Sequence, residues 1–210
     1  TVGPCLDDDI QICVAEDGEI LFRGPNIALG YYGRKAATES VWDAKGWFHT
    51  GDLGALDQDG FLSIVGRKKE ILVTSGGKNI APTEIEDALK ASPYVSQAVL
   101  IGDGAAFCVA LVSLQEDALL SWAKDNRVQL TEPLARDTQV FELISAHIAE
   151  VNRDLASYET VKRIGIVPED FTVENGFLTP TFKVKRKLVT EHYAELIEQV
   201  YRAARERHVR

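Results

Sequence analysis

The sequence predicts an α+β chain in two unlike parts. Residues 1–66 read as a β-rich piece without a long helix, and residues 70–210 read as a hairpin and a three-stranded sheet packed with helices. Two observations carry this. Before Lys69 the apolar runs are short, alternating and broken by Gly and Pro. After it, apolar residues recur at helical spacing in several longer stretches, separated by short apolar runs of strand length.

In the first part, Ile10 to Val14 alternates and meets a hairpin signal at Glu16-Asp17-Gly18-Glu19, so Ile20 to Arg23 is the partner strand. Gly24-Pro25 and Gly30 punctuate the next segment, and Lys35 to Val41 fits a short helix. Gly46-Trp47-Phe48 restarts extended chain. Thr50-Gly51-Asp52 reads as a tight turn bearing a lone acid, and Gly60 to Val65 as another strand.

In the second part, Glu70 to Thr74 reads as a strand ending at Ser75-Gly76-Gly77. Pro82 stands at a helix start, with Glu84 and Glu86 in the first turn, where the helix dipole favours acids. Ile85, Ala88 and Leu89 give that helix an apolar face, and it must stop before Pro93. Val95 to Ile101 and Phe107 to Leu114 are strands joined at Gly102-Asp103-Gly104, and Asp117 to Asn126 is helical. A long helix opens at Pro133, with Val140, Phe141, Ile144, Ile148, Val151 and Leu155 at helical spacing. Val161 to Val167 is the third strand. Phe171 to Lys183 is a loop, and one helix from Lys187 to about Arg207 closes the chain with Leu188, Tyr193, Leu196, Ile197 and Val200 inward.

The 210 residues, 45% hydrophobic and 26% charged, suit one or two globular domains. A net charge of −9 repels nucleic acid and anionic membrane, which argues against a nucleic-acid-binding role. Cys5, Cys13 and Cys108 form neither a disulfide framework nor a metal-ligand spacing, so a reducing compartment and no metal site on this chain are expected. No apolar run approaches the roughly 18 residues that span a bilayer. The expected localisation is cytoplasmic, with peripheral membrane contact left open.

Trp47-Phe48-His49-Thr50-Gly51-Asp52 and Gly66-Arg67-Lys68-Lys69-Glu70 resemble consecutive motifs of the adenylate-forming ligases, and the whole Lys45–Lys69 block resembles the fatty acyl-CoA synthetase signature. Gly24-Pro25-Asn26 through Gly30-Tyr31-Tyr32 is similar to the motif just upstream. Asn175 to Arg186 is similar to the terminal motif in its long-chain variant. Phe182 stands where many members have Gly, which points to the long-chain branch. Leu56, Gln58 and Gly66 depart from the signature and leave acyl chain length open.

The resemblance implies that residues 1–67 end a large N-terminal AMP-binding domain, 68–70 form a hinge and 71–210 form a mobile C-terminal lid. It implies ATP-dependent activation of a long-chain fatty acid to acyl-AMP, then transfer to CoA, with ATP, CoA and Mg2+ as cofactors. The phosphate loop, the Tyr-Gly-x-Thr-Glu motif and the acyl tunnel are absent from these residues. The chain is therefore expected to be a C-terminal fragment, inactive alone, with the Mg2+ ligands elsewhere. Two rival readings stay open: a fatty acyl-AMP ligase serving a carrier protein, and a non-enzymatic partner-binding module.

For the site residues, the residue chemistry and the resemblance are separate warrants. A carboxylate such as Asp52 can accept bonds from both ribose hydroxyls, or can simply be a surface acid; the resemblance implies ribose. Arg67 offers forked donors or is part of a solvated basic step; the resemblance puts it on the nucleotide side. Lys69 corresponds to the hinge residue. Ser75, Gly76 and Lys78 lie in the loop that the resemblance turns toward CoA, though from the residues alone they are a turn after a strand. Lys183 is one cation in a run with Lys185, Arg186 and Lys187. The resemblance makes it the catalytic ammonium that offsets repulsion between carboxylate and α-phosphate.

Overall fold

The computed structural model describes residues 1–5 and 7–208. The chain forms two compact units, Thr1–Ile71 and Leu72–Arg210.

The first unit is an antiparallel meander of β1 (Gln11–Val14), β2 (Glu19–Arg23), β3 (Phe48–Leu56) and β4 (Leu62–Arg67), in that order across the sheet, with the short helix α1 (Lys35–Glu39) between β2 and β3. Gly18, at φ +83, makes the β1–β2 turn that its neighbours Glu16 and Asp17 announced. The core is small. Ile20, Leu21 and Leu62 are buried, and Trp42 packs on Phe48 with ring centroids 4.6 Å apart. Gly54 has no space for a Cβ, because the Ser63 carbonyl and the Ile20 side chain already fill it. The β3–β4 register slips there, between Leu53 and Gly54. The expected tight turn at Thr50-Gly51-Asp52 is instead part of β3. Gly51, at φ +72, bends the strand without ending it.

The second unit opens with a two-stranded hairpin, β5 (Leu72–Val73) and β6 (Asn79–Ile80), then α2 (Pro82–Lys90). Its main sheet has the order β7 (Val95–Ile101), β8 (Cys108–Leu114), β9 (Val161–Ile166); β7 and β8 are antiparallel, β8 and β9 parallel. α3 (Glu116–Asn126) and α4 (Thr138–Val151) lie between β8 and β9 in sequence, and α5 (Arg186–His192) and α6 (Ala194–His208) follow β9.

Every residue of β8 is buried, because the central strand is covered on both faces; hence its unbroken apolar run. Side chains alternate between two cores. Leu100, Ala110 and Val112 join Ile85 and Leu89 of α2 and Ile144 of α4 on one side. Val99 and Leu111 join Phe171, Phe177, Val189 and Tyr193 on the other.

Several expected boundaries move. The strand expected over Glu70–Thr74 is only Leu72–Val73, because Lys68–Glu70 close a short 3₁₀ turn and Thr74 already hydrogen-bonds back to Lys78. The helix expected at Pro133 starts at Thr138, where the Asp137 carboxylate caps the Gln139 and Val140 N–H groups. The single closing helix is two, interrupted at Tyr193, whose ring is drawn into the second core against Phe171 and Phe177. Within α5, Leu188, expected inward, is 41% exposed and Val189 is buried. Among the described residues no helix is long and apolar enough to cross a membrane.

Candidate functional site

In the first unit, Asp52 and Arg67 are opposite each other across β3 and β4. Arg67 Nε lies 2.6 Å from Asp52 Oδ1, and the Asp52 side chain is 25% exposed. The acid is therefore not alone. Its strand is held from behind: the Thr50 hydroxyl donates to the Ile20 carbonyl at 2.7 Å and accepts the Asp52 N–H at 2.9 Å. A carboxylate with one edge on a guanidinium and the other toward solvent can accept further donors.

Behind it stands Glu19, which no motif or spacing singles out. It is buried, yet charged. One oxygen accepts the Gly51 N–H at 2.9 Å; the other meets His49 Nδ1 at 3.1 Å and Lys68 Nζ at 3.0 Å. Burial alone would raise the Glu19 pKa, but these bonds outweigh it and hold the carboxyl below its usual range. Lys68 also pairs with Asp17 at 2.6 Å, which lowers the Asp17 pKa and raises that of Lys68. Glu19 thus joins the backbone beside Asp52 to the residue just before Lys69. Lys69 itself is exposed, in the 3₁₀ turn that ends this unit.

In the second unit, Ser75, Gly76 and Lys78 form the exposed turn of the β5–β6 hairpin. Gly77 needs its freedom, at φ +73. Gly76 does not: its backbone is ordinary, and a Cβ there would meet nothing nearer than Thr74 Oγ1 at 3.9 Å. The fold leaves room at Gly76, and close approach of a ligand would use it. Lys78 Nζ sits 5.8 Å from the Tyr158 ring centroid, a loose cation–π contact that leaves the ammonium accessible.

Lys183 closes a small loop opposite Thr179, with Pro180 and Thr181 at its tip. The Thr179 N–H donates to the Lys183 carbonyl at 2.8 Å and the Lys183 N–H to Thr179 Oγ1 at 3.0 Å. Below them Leu178 bridges Val184, and the Lys185 N–H donates to the Phe177 carbonyl at 2.8 Å. The start of the 171–183 segment is fastened too. Asp170 accepts the Ser96 hydroxyl at 2.7 Å, the Ser113 hydroxyl at 2.5 Å and the Phe171 N–H at 2.7 Å. This segment is irregular, as expected, but Phe171, Phe177 and Leu178 are buried. The ammonium stands on a built platform.

Among the described residues no three His, Cys, Asp or Glu side chains gather as a metal site. His147 and Cys108 have structural surroundings. His147 Nε2 meets the Ala88 carbonyl at 3.1 Å, and burial pushes the Cys108 thiol up to about 11, which keeps it protonated.

Comparison with known proteins shows what the chain is similar to. The long-chain-fatty-acid–CoA ligase FadD15 of Mycobacterium tuberculosis is 45% identical over 205 residues, covering 96% of this chain and 34% of its own length. The peroxisomal long chain acyl-CoA synthetase 7 of Arabidopsis thaliana is 38% identical over 189 residues, covering 88% of this chain and 27% of its own. The chain thus spans about a third of such relatives. Among solved structures, the adenylation domain of a carboxylic acid reductase from Segniliparus rugosus, in complex with AMP and a co-purified carboxylic acid, superposes with a TM-score of 0.76 at 25% identity. It matches 95% of this chain and 32% of that one. The AMP complex of the O-succinylbenzoate coenzyme A synthetase from Bacillus subtilis gives 0.60 at 25% identity, matching 86% of this chain and 33% of that one. The pattern of the AMP-binding enzyme C-terminal domain matches residues 69–205, and the chain belongs to that family.

Proposed function

We propose that the chain is the C-terminal part of an AMP-forming long-chain fatty acid–CoA ligase. Residues 1–67 are the end of its AMP-binding domain, 68–70 its hinge and 71–210 its mobile lid. The observation that carries this is the 45% identity to a long-chain-fatty-acid–CoA ligase over 96% of the chain, with Asp52, Arg67 and Lys183 all present and accessible.

In the first half-reaction a fatty carboxylate oxygen attacks the α-phosphorus of ATP, the bond to the β-phosphate bridging oxygen breaks, and pyrophosphate leaves. Asp52 accepts hydrogen bonds from the ribose hydroxyls, and Arg67 holds Asp52 in place. Carboxylate and α-phosphate are both anionic, so their approach is opposed by charge. The Lys183 ammonium offsets that repulsion and stabilises the added charge of the transition state. In the second half-reaction the CoA sulfur attacks the acyl carbon, AMP leaves, and the thiol proton is released. For this step the lid turns at Lys69, withdrawing Lys183 and presenting Ser75, Gly76 and Lys78 to CoA. Lys78 suits a phosphate of CoA, and Gly76 a close backbone approach. Mg2+ accompanies ATP, with its ligands on the rest of the protein. No step on this chain runs through it.

The test uses the full-length protein with ATP, Mg2+, a radiolabelled long-chain fatty acid and CoA. Acyl-CoA and AMP are expected in equal amounts, and the 210-residue chain alone is expected to make neither. Acyl-AMP that accumulates with CoA unused would favour the carrier-protein ligase. An absence of adenylation with every chain length tried would favour a non-enzymatic module.

A further inference from the structure

Of the four cations in the run Lys183 to Lys187, one is turned into the fold. Arg186, the first residue of α5, sends its guanidinium to the edge strand β7. Nη1 donates to the Leu100 carbonyl at 2.7 Å, and the fork grips Glu86 of α2, Nη1 to Oε1 at 2.7 Å and Nη2 to Oε2 at 2.9 Å. Glu86 Oε1 in turn accepts the Leu100 N–H at 2.6 Å. Both backbone polar groups of one edge residue are therefore served by two side chains that also hold each other. The Arg186 and Glu86 side chains are 27% and 14% exposed, so water competes little for these bonds. A planar fork fits this carboxylate and carbonyl as a flexible ammonium cannot.

This lock ties α2, β7 and the start of α5 together three residues after Lys183. Lys185 and Val184 pair with Phe177 and Leu178 directly below the Thr179–Lys183 closure, so a shift of Arg186 is passed to Lys183 through a short, bonded path. We propose that Arg186, held by Glu86 and Leu100, is a positioning residue for the adenylation half-reaction. It touches neither nucleotide nor fatty acid; it sets where the Lys183 turn stands on the sheet. The inference rests on the proposed role of Lys183. Misplacing a reacting group by about 1 Å costs on the order of a hundredfold in rate, so a lock of this kind has kinetic leverage. A lock that only protected the edge strand would affect folding and leave the half-reactions in proportion.

The experiment compares wild type, Arg186→Lys, Glu86→Gln and Lys183→Ala in the full-length protein. It measures fatty-acid-dependent exchange of labelled pyrophosphate into ATP, thioester formation from preformed acyl-adenylate and CoA, and the thermal unfolding midpoint. Arg186→Lys keeps the charge and loses the fork; Glu86→Gln keeps an acceptor and loses the charge. Both are expected to lower kcat for exchange tenfold or more, with KM for ATP and the thioester rate each within twofold of wild type. The double variant Arg186→Lys/Glu86→Gln should be little worse than either single one, since both changes break the same lock. Undiminished exchange in these variants while Lys183→Ala loses it would overturn the positioning role alone. Equal loss in both half-reactions would overturn it in favour of a purely structural role. Retained exchange in Lys183→Ala would overturn the reading of Lys183, and the proposal with it. If both variants fail to fold, Arg186→Met/Glu86→Leu replaces the pair with apolar groups and keeps the packing. In that variant, selective loss of exchange supports the role, and wild-type exchange or renewed failure to fold overturns it.

Discussion

Arg67 Nε lies 2.6 Å from Asp52 Oδ1, and the two residues are direct partners in the β3–β4 register. One side of the carboxylate is thereby fixed and the other left open, the side to which the proposed function assigns the ribose hydroxyls. Asp52→Ala is expected to raise the KM for ATP roughly 10- to 150-fold, as fits loss of a hydrogen bond to a charged group worth roughly 1.5–3 kcal/mol. The check is a comparison with 2′-deoxy-ATP. Wild type should discriminate against the deoxynucleotide, and Asp52→Ala should not. Preserved discrimination in the variant would place the ribose elsewhere.

Glu19 makes acid sensitivity predictable. Its pKa lies below the ordinary 4.5, because the bonds from His49, Lys68 and Gly51 outweigh burial. As pH falls, the unfolded chain takes up the proton before the folded chain does. The stabilisation is therefore complete above about pH 5 and is lost as pH drops through the depressed folded value. Glu19→Gln should cost about 1–3 kcal/mol at pH 7, the penalty for unpairing a buried polar group. It should also weaken the pH dependence of urea unfolding below pH ~5. It will not abolish that dependence, because Lys68 and the Trp47 N–H respectively hold Asp17 and Asp43 low as well. An unchanged acid limb in Glu19→Gln would contradict the assignment.

Lys69 occupies the middle of the 3₁₀ turn between β4 and β5, immediately after Lys68 is tied to Asp17 and Glu19. A proline there restricts φ and removes an N–H, so it should favour one arrangement of the hinge over another. Lys69→Pro is expected to spare one half-reaction within about threefold and to reduce the other at least tenfold, as pyrophosphate exchange and thioester formation measured separately would show. Equal loss of both would remove Lys69 from the hinge role.

Phe182 stands beside Lys183 at φ +58, a conformation that favours glycine, while 73% of its surface is exposed. The exposed ring gives little packing in return for that strain. Phe182→Gly should not destabilise the chain, and relief of the left-handed conformation is worth up to about 1–2 kcal/mol by urea titration. Destabilisation by more than about 1 kcal/mol would mean that the ring packs.

Much of the fold was legible along the chain. Pro82 marked the start of α2 to the residue, and the apolar run at residues 107–114 marked the strand that becomes the covered centre of a sheet. Asp52 and Arg67 could be named from their motifs, but their pairing could not, since it depends on a hairpin register that slips at Gly54. Thr50-Gly51-Asp52 looked like a turn because glycine bends and ends strands alike. Glu19 was visible only as the end of a hairpin signal, because its partners His49 and Lys68 lie 30 and 49 residues away. Arg186 looked like its solvated neighbours, since its partner Glu86 is 100 residues distant and only the folded sheet brings them together. Local periodicity records which face is buried, and is silent on which polar groups meet across elements.

The proposed function depends most on Lys183, whose charge is assigned the task of making adenylation possible. Fatty-acid-dependent pyrophosphate exchange by Lys183→Ala in the full-length protein, beside thioester formation from preformed acyl-adenylate, measures that task directly. Exchange is expected to fall at least a hundredfold, about 2.7 kcal/mol of transition-state stabilisation, while thioester formation stays within about threefold. Exchange at the wild-type rate would contradict the role given to Lys183.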